Sequence, residues 1–195
     1  MGPNLDLVIL QQPKRACVVE AGERYRRPID PPPIIKLIMD ISDEDLYSEF
    51  VNTNVLAVHT NLLLQDSNEN IDNITNLPST SSSMNTFLKR EGRILTGSLT
   101  SSSSLVKGLG SKRECYFAFP DLYVGVEGIY RLKFSLVAIQ SPIEKNTVSA
   151  VVYSEPFEVF SMSEFPGVEE SSILSKTLAE QGVGIPIRNK SRLRK

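Results

Sequence analysis

The run Gly128 to Ile139, GIYRLKFSLVAI, limits the choice of fold more than any other stretch. In an extended chain Tyr130, Leu132, Phe134, Leu136 and Ala138 fall on one side, and Arg131, Lys133 and Ser135 on the other. A period of two with one wet face is a half-buried strand, and such a strand needs a sheet around it. Asn54 to Leu64 repeats the pattern, with Leu56, Val58, Leu62 and Leu64 opposite Ala57, His59 and Asn61. Cys115 to Phe119 reads as a third strand in which Cys115 alternates with Phe117 and Phe119 as a core residue. Val151 to Phe160, VVYSEPFEVF, reads as a strand pair or as one strand broken at Pro156. Leu5 to Leu10 and Ile34 to Ile41 add two apolar runs, and Gly92 to Thr96 is a weaker candidate.

Helical signals are few. Ser171 to Gln181, SSILSKTLAEQ, is the clearest: a serine caps it, Ile173, Leu174 and Leu178 give it an apolar face, and Gly182 stops it. The acids Asp40, Asp43, Glu44, Asp45 and Glu49 read as a solvated loop with a short helix from Asp43 to Phe50. They lack the central glycine and twelfth-position glutamate of a calcium loop. Many short strands with one terminal helix indicate a mostly β chain, a β-sandwich rather than an α/β sheet. No glycine fingerprint follows a strand, which argues against nucleotide-binding α/β folds.

A length of 195 residues suits one domain with insertions, and 41% apolar residues suffice for a core. Two serine-rich polar segments within 65–104, Gln65 to Arg90 and Ser98 to Ser104, read as flexible insertions between strands. No apolar run approaches the roughly 18 residues of a membrane span. The N-terminus lacks a basic n-region before a long apolar stretch, so no secretory signal is expected. Cys17 and Cys115 are too few for a disulfide scaffold and suit a reducing compartment. In such a compartment the glycosylation patterns at Asn73 and Asn189 stay bare.

Chemistry is sparse. His59, the one histidine, sits on the wet side of its strand with no cysteine or carboxylate cluster beside it. Cys17 lies among cations that would lower a thiol pKa, although an unreactive cysteine is the plainer reading. No catalytic group, metal site or cofactor is expected.

Charge is more informative, because the net value of −2 hides segregation. Lys14, Arg15, Arg24, Arg26 and Arg27 crowd one segment, with Glu20 and Glu23 its two acids. Arg188, Lys190, Arg192, Arg194 and Lys195 form a second basic block, 188–195, with no acid. Such blocks permit a polyanion-binding face: arginine can take two acceptors on a guanine edge, and both cation types neutralise phosphates. Ordinary solvated arginines and a basic tail remain open as the alternative. Between the first block and the strand at Ile34 stands RRPIDPPPII. Its prolines forbid a helix and hold the chain extended, and Asp30 is expected to pair with Arg26 or Arg27, or to cap a turn.

Five blocks, QQPKRA, RRPIDPPPIIKL, EGIYRLKFSLV, VYSEPFEVFS and FPGVEESSILSKTLAEQGVGIPIR, together resemble the velvet domain of fungal developmental regulators. The resemblance runs from about Leu5 to Arg188, as a single velvet domain over 1–195. It implies an immunoglobulin-like β-sandwich resembling the Rel/NF-κB DNA-binding domain, with long loop insertions and a C-terminal helix. It implies binding to double-stranded promoter DNA and homo- or heterodimers with other velvet proteins. It also implies control of sporulation, development and secondary metabolism, a nuclear location with a cytoplasmic pool, and a nuclear methyltransferase-like partner. In Rel-type folds the loop after the first strand reads the major groove. Here that loop is Lys14 to Arg27, the segment the charge count selects. Arg15, Arg24 and Arg26 are then candidate base readers, and Lys14 and Arg27 candidate phosphate contacts. Arg188, Lys190, Arg192 and Arg194 would add phosphate contacts. The competing expectation is a dimerisation or scaffolding module whose velvet partner reads the DNA, with its interface on the terminal helix and the VYSEPFEVF strand.

Overall fold

A computed structural model describes residues 3–18, 27–65, 70–71, 93–139 and 148–189. In chain order the strands are β1 (Leu5–Gln11), β2 (Arg15–Cys17), β3 (Ile34–Met39), β4 (Val55–Leu64), β5 (Leu95–Thr96) and β6 (Thr100–Ser102). They continue with β7 (Ser104–Lys107), β8 (Arg113–Ala118), β9 (Tyr123–Val124), β10 (Gly128–Ile139), β11 (Val148–Tyr153) and β12 (Phe157–Phe160). The helices are α1 (Glu44–Thr53) and α2 (Ile173–Glu180).

The alternating run is the spine of the larger sheet, as its pattern requires. One edge of β10 pairs along its length with β4. The other edge pairs first with β12 and then with β11, so the VVYSEPFEVF segment is two strands parted at Pro156. This sheet has the order β2-β12-β10-β4-β6, with β11 beside β10; the second sheet has the order β1-β3-β8-β7, and β5 pairs with β9. All these pairings are antiparallel except β2 with β12.

Both sheets bury one side in the same cluster. Leu7, Ile35, Leu37, Cys115 and Phe117 come from one sheet; Leu56, Val58, Leu62, Leu132, Phe134 and Phe157 come from the other. Burying each such side chain stabilises the fold by about 1.5–3 kcal/mol before entropy is counted. Phe119 and Phe134 meet with tilted rings, centroids 5.2 Å apart, an arrangement aromatic quadrupoles favour.

Helix α1 starts where the acids predict. Asp43 caps it by accepting from the Asp45 and Leu46 amides at 2.9 Å, and Glu44 and Asp45 in the first turn complement the helix dipole. Its Tyr47 reaches the sheet. β3 and β8 pair from Ile34–Lys36 to Tyr116–Ala118 and then part. In the gap Tyr47 Oη accepts from the Cys115 amide (3.0 Å) and donates to the Leu37 carbonyl (3.3 Å).

Helix α2 covers the outer side of the smaller sheet. Ser172 caps it by accepting from the Ser175 amide at 3.0 Å, and Gly182 ends it with a φ of +93°. Leu174, Leu178 and Ile185 seal Ile34 and Tyr116 in a second cluster, so Tyr116 is buried although it faces away from the main core. Gln181 reaches the outer strand: its Nε2 donates to the Lys107 carbonyl (2.5 Å) and its Oε1 accepts from the Lys107 amide (2.9 Å).

Three expectations differ from the structure. Ser98 to Ser104 is not a structureless insertion but carries β6 and the start of β7. An edge strand has one solvated side, so hydroxyls are tolerated there, and Ser101 Oγ accepts from the Ala118 amide at 3.1 Å. Ile71, inside the expected 65–104 insertion, is fully buried in the main core; most of Gln65 to Arg90 lies outside the described residues. Ile173, assigned to the apolar face of α2, is 75% exposed; it is the first helical residue, and Leu174, Ser175 and Leu178 form the buried side of the helix.

Candidate nucleic-acid interface

The first basic segment begins as strand, not loop. Arg15 opens β2, which aligns with Glu158 of β12. The Lys14 and Arg15 amides both donate to the Asp30 carbonyl, at 3.1 and 3.0 Å, and the Asp30 amide donates to the Arg15 carbonyl at 2.8 Å. The two ends of the 14–30 segment are thus stitched at their base, with Ala16 and Cys17 in the interior behind them. The Asp30–Pro31 peptide is cis.

The Asp30 side chain organises what surrounds it. The residue is 1% exposed. Oδ2 accepts from the Glu169 amide at 2.7 Å, and Oδ1 accepts from Arg188 Nη1. A buried carboxylate demands such partners, since an unpaired charge out of water is costly. Asp30 thus pairs with Arg188, while Arg27, one of its expected partners, lies over Phe165 instead, and Arg26 lies outside the described residues. The cause is tertiary: the Ser171 amide donates to the Arg188 carbonyl (3.0 Å), and the Arg188 amide donates to Ser171 Oγ (2.9 Å). That clip closes the excursion through α2 and returns Arg188 to Asp30.

Glu169 then binds the first basic segment. Its Oε2 accepts from Lys14 Nζ at 3.1 Å and its Oε1 from Arg15 Nη2 at 2.5 Å. Arg27 lies on the same β12–α2 connection, its guanidinium 5.5 Å from the centre of the Phe165 ring. Phe165 packs in turn against Phe160, centroids 6.4 Å apart. The chain's two basic blocks therefore meet. Lys14 and Arg15 come from one, Arg188 from the other, joined through Asp30 and Glu169. Lys14 and Arg27 remain open to solvent, while Arg15 and Arg188 are largely covered. Of the other candidate cations, Arg24, Arg26, Lys190, Arg192 and Arg194 lie outside the described residues.

Sequence reasoning missed Glu169 and Phe165. An acid pair in FPGVEESS reads as a solvated turn, and only the return of the chain past β12 brings it to Lys14 and Arg15.

The remaining reactive side chains are elsewhere. Cys17 is buried, its Sγ donating to Met162 Sδ at 3.8 Å. Burial pushes the Cys115 thiol up to about 12, against a hydrogen bond with the Ser104 backbone. His59 Nδ1 lies 3.1 Å from Thr100 Oγ1 on the outer side of the larger sheet. Among the described residues no three His, Cys, Asp or Glu side chains converge as metal ligands, and no helix is long and apolar enough to cross a membrane. What the basic site offers is charge and planar hydrogen-bond donors, suited to phosphate oxygens and base edges.

The family model described as Velvet factor matches residues 5–92 and 76–192. The sexual development regulator umv3 of Mycosarcoma maydis is 31% identical, over 94% of this chain and 45% of its own length. The developmental and secondary metabolism regulator MVE1 of Zymoseptoria tritici is 35% identical, over 96% of this chain and 76% of its own. A protein of Chaetomium globosum named as a velvet complex subunit is 32% identical, over 97% of this chain and 38% of its own. The chain thus spans less than half the length of two of these three relatives.

Proposed function

The chain belongs to the velvet family, and we propose that it is a sequence-specific DNA-binding regulator of fungal development, sporulation and secondary metabolism. It works as a homo- or heterodimer with other velvet proteins, in the nucleus with a cytoplasmic pool, and it engages a nuclear methyltransferase-like regulator. Its two sheets form an immunoglobulin-like sandwich of the Rel type. The names of the relatives support the regulatory role, and that of a velvet complex subunit supports association. The observation that carries the DNA reading is the meeting of both basic blocks at Asp30 and Glu169. Cations from distant parts of a chain of net charge −2 gather on one side of it, as a polyanion-binding face requires.

In this reading Arg15, Arg24 and Arg26 include the base readers, Lys14, Arg27, Lys190, Arg192 and Arg194 hold phosphates, and Arg188 is committed to Asp30. Selection from a pool of random duplexes at physiological salt tests it. Enrichment of one motif by the homodimer or a velvet heterodimer is expected; no enrichment by any of them would refute it.

A second reading makes the chain a dimerisation or scaffolding module whose partner reads the DNA. It draws on Ile173, Leu109 and Leu10, apolar side chains exposed around one pocket at the start of α2. Charge reversal at Arg24 and Arg26 separates the two. The first reading expects lost DNA binding with dimers intact; the second expects little change, and dissociation on Ile173→Asp instead.

A further inference from the structure

The contacts of Glu169 carry the DNA reading one step further, and the step rests on that reading. Each oxygen of the Glu169 carboxylate takes one cation, Lys14 Nζ at 3.1 Å and Arg15 Nη2 at 2.5 Å. The two non-bridging oxygens of a phosphodiester make the same demand on a lysine–arginine pair. The backbone of Glu169 is fixed by the bond from its amide to Asp30 Oδ2, so the carboxylate is kept beside these cations. Its side chain is 39% exposed and can rotate into water while the backbone stays. Its neighbour Glu170 is turned away, accepting from Lys176 Nζ at 2.7 Å.

We propose that Lys14 and Arg15 form a phosphodiester seat that the chain's own Glu169 fills, and that DNA binds there by exchanging a backbone phosphate for this carboxylate. Glu169 lowers affinity for every duplex alike; Arg15, one of the three candidate base readers, thereby takes a phosphate, and sequence preference is left to Arg24 and Arg26.

Fluorescence anisotropy with a labelled duplex tests the exchange. Glu169→Gln should tighten binding about three- to tenfold, the scale of two partly exposed ion pairs. Glu170→Gln, the same charge change one residue away, should have a smaller effect. The gain from Glu169→Gln should vanish when Lys14→Met and Arg15→Met are also present. Unchanged or weaker binding by Glu169→Gln overturns the proposal, as does a gain that survives in the double-methionine background. Thermal unfolding of each variant checks that the fold is kept. If no variant binds any duplex, the DNA reading itself fails, and the seat is then judged without DNA. Inorganic phosphate, titrated while the Arg15 Nε–H resonance is followed by NMR, should shift it at lower concentration in Glu169→Gln than in the unaltered protein. Equal titrations would overturn the seat.

Discussion

Asp30 and Arg188 are 158 positions apart and form an ion pair in which the carboxylate side chain is only 2% exposed. The pair ties the start of the proline segment to the end of the α2 excursion, and the bond from the Glu169 amide to Asp30 adds a third strand of chain. Removing one partner of such a pair leaves the other charge uncompensated. Asp30→Ala should therefore cost about 3–5 kcal/mol in urea unfolding. Arg188→Ala strands the buried carboxylate and should cost nearly as much. The double variant should cost less than the sum of the two, and strict additivity would count against a direct pair.

Tyr47→Phe should destabilise by about 1–3 kcal/mol, because it leaves the Cys115 amide and the Leu37 carbonyl without the hydroxyl between them. Amide hydrogen exchange provides the local test: the Cys115 amide should lose more protection than the Phe117 amide, which lies where β3 and β8 still pair.

Glu114 sets an acid limb on stability. Burial pushes its carboxyl up, but hydrogen bonds from Tyr116 and Lys36 and the Lys36 charge pull it down, and the net value falls below the ordinary 4.5. A carboxyl lowered in the fold stabilises above its unfolded pKa, and that contribution is lost as pH falls through the folded value. Thermal midpoints should therefore fall as pH drops below about 4.5, and Lys36→Met should flatten the fall. A slope unchanged by Lys36→Met would assign the acid limb to other carboxylates.

Gly97→Ala should cost at least about 2 kcal/mol by denaturant titration, combining backbone strain with overpacking. Gly97 has a φ of +103°, and an added Cβ would stand 1.9 Å from the Asp121 carbonyl oxygen. A tolerated alanine would mean that the turn before β6 relaxes freely.

DNA binding should weaken with salt at a log–log slope of about −4 to −5 if the five cations of 14–27 each neutralise a phosphate. Lys14→Ala and Arg15→Ala should each reduce that slope by about one unit for all sequences alike, whereas Arg24→Ala or Arg26→Ala should relax preference at one position. Equal losses on matched and mismatched duplexes with Arg24→Ala and Arg26→Ala would move both among the phosphate contacts.

Legibility followed the range of the interactions. β10 and β4 could be read because alternation over ten or more residues reports one wet side. The starts of both helices and the end of α2 could be read because capping is local: Asp43, Ser172 and Gly182 act on their own neighbours, whereas α1 runs past the expected Phe50 to Thr53. β2 could not, since three residues carry no period and its pairing with β12 joins segments about 140 positions apart. Tyr116 breaks the expected alternation only because α2 covers the second side of its strand. At the basic site the charge count found Lys14, Arg15 and Arg188 individually. Their partners Glu169 and Asp30 depend on where three distant segments cross, which composition does not encode.

The Gln181 side chain occupies the place of a further strand at Lys107, offering one donor and one acceptor to the outermost backbone of the smaller sheet. At that rung nothing is left for a foreign extended segment to grip. The smaller sheet has there a built-in stop against indiscriminate sheet growth. Gln181→Ala would reopen the rung, and self-association at high concentration is where its absence would first be felt.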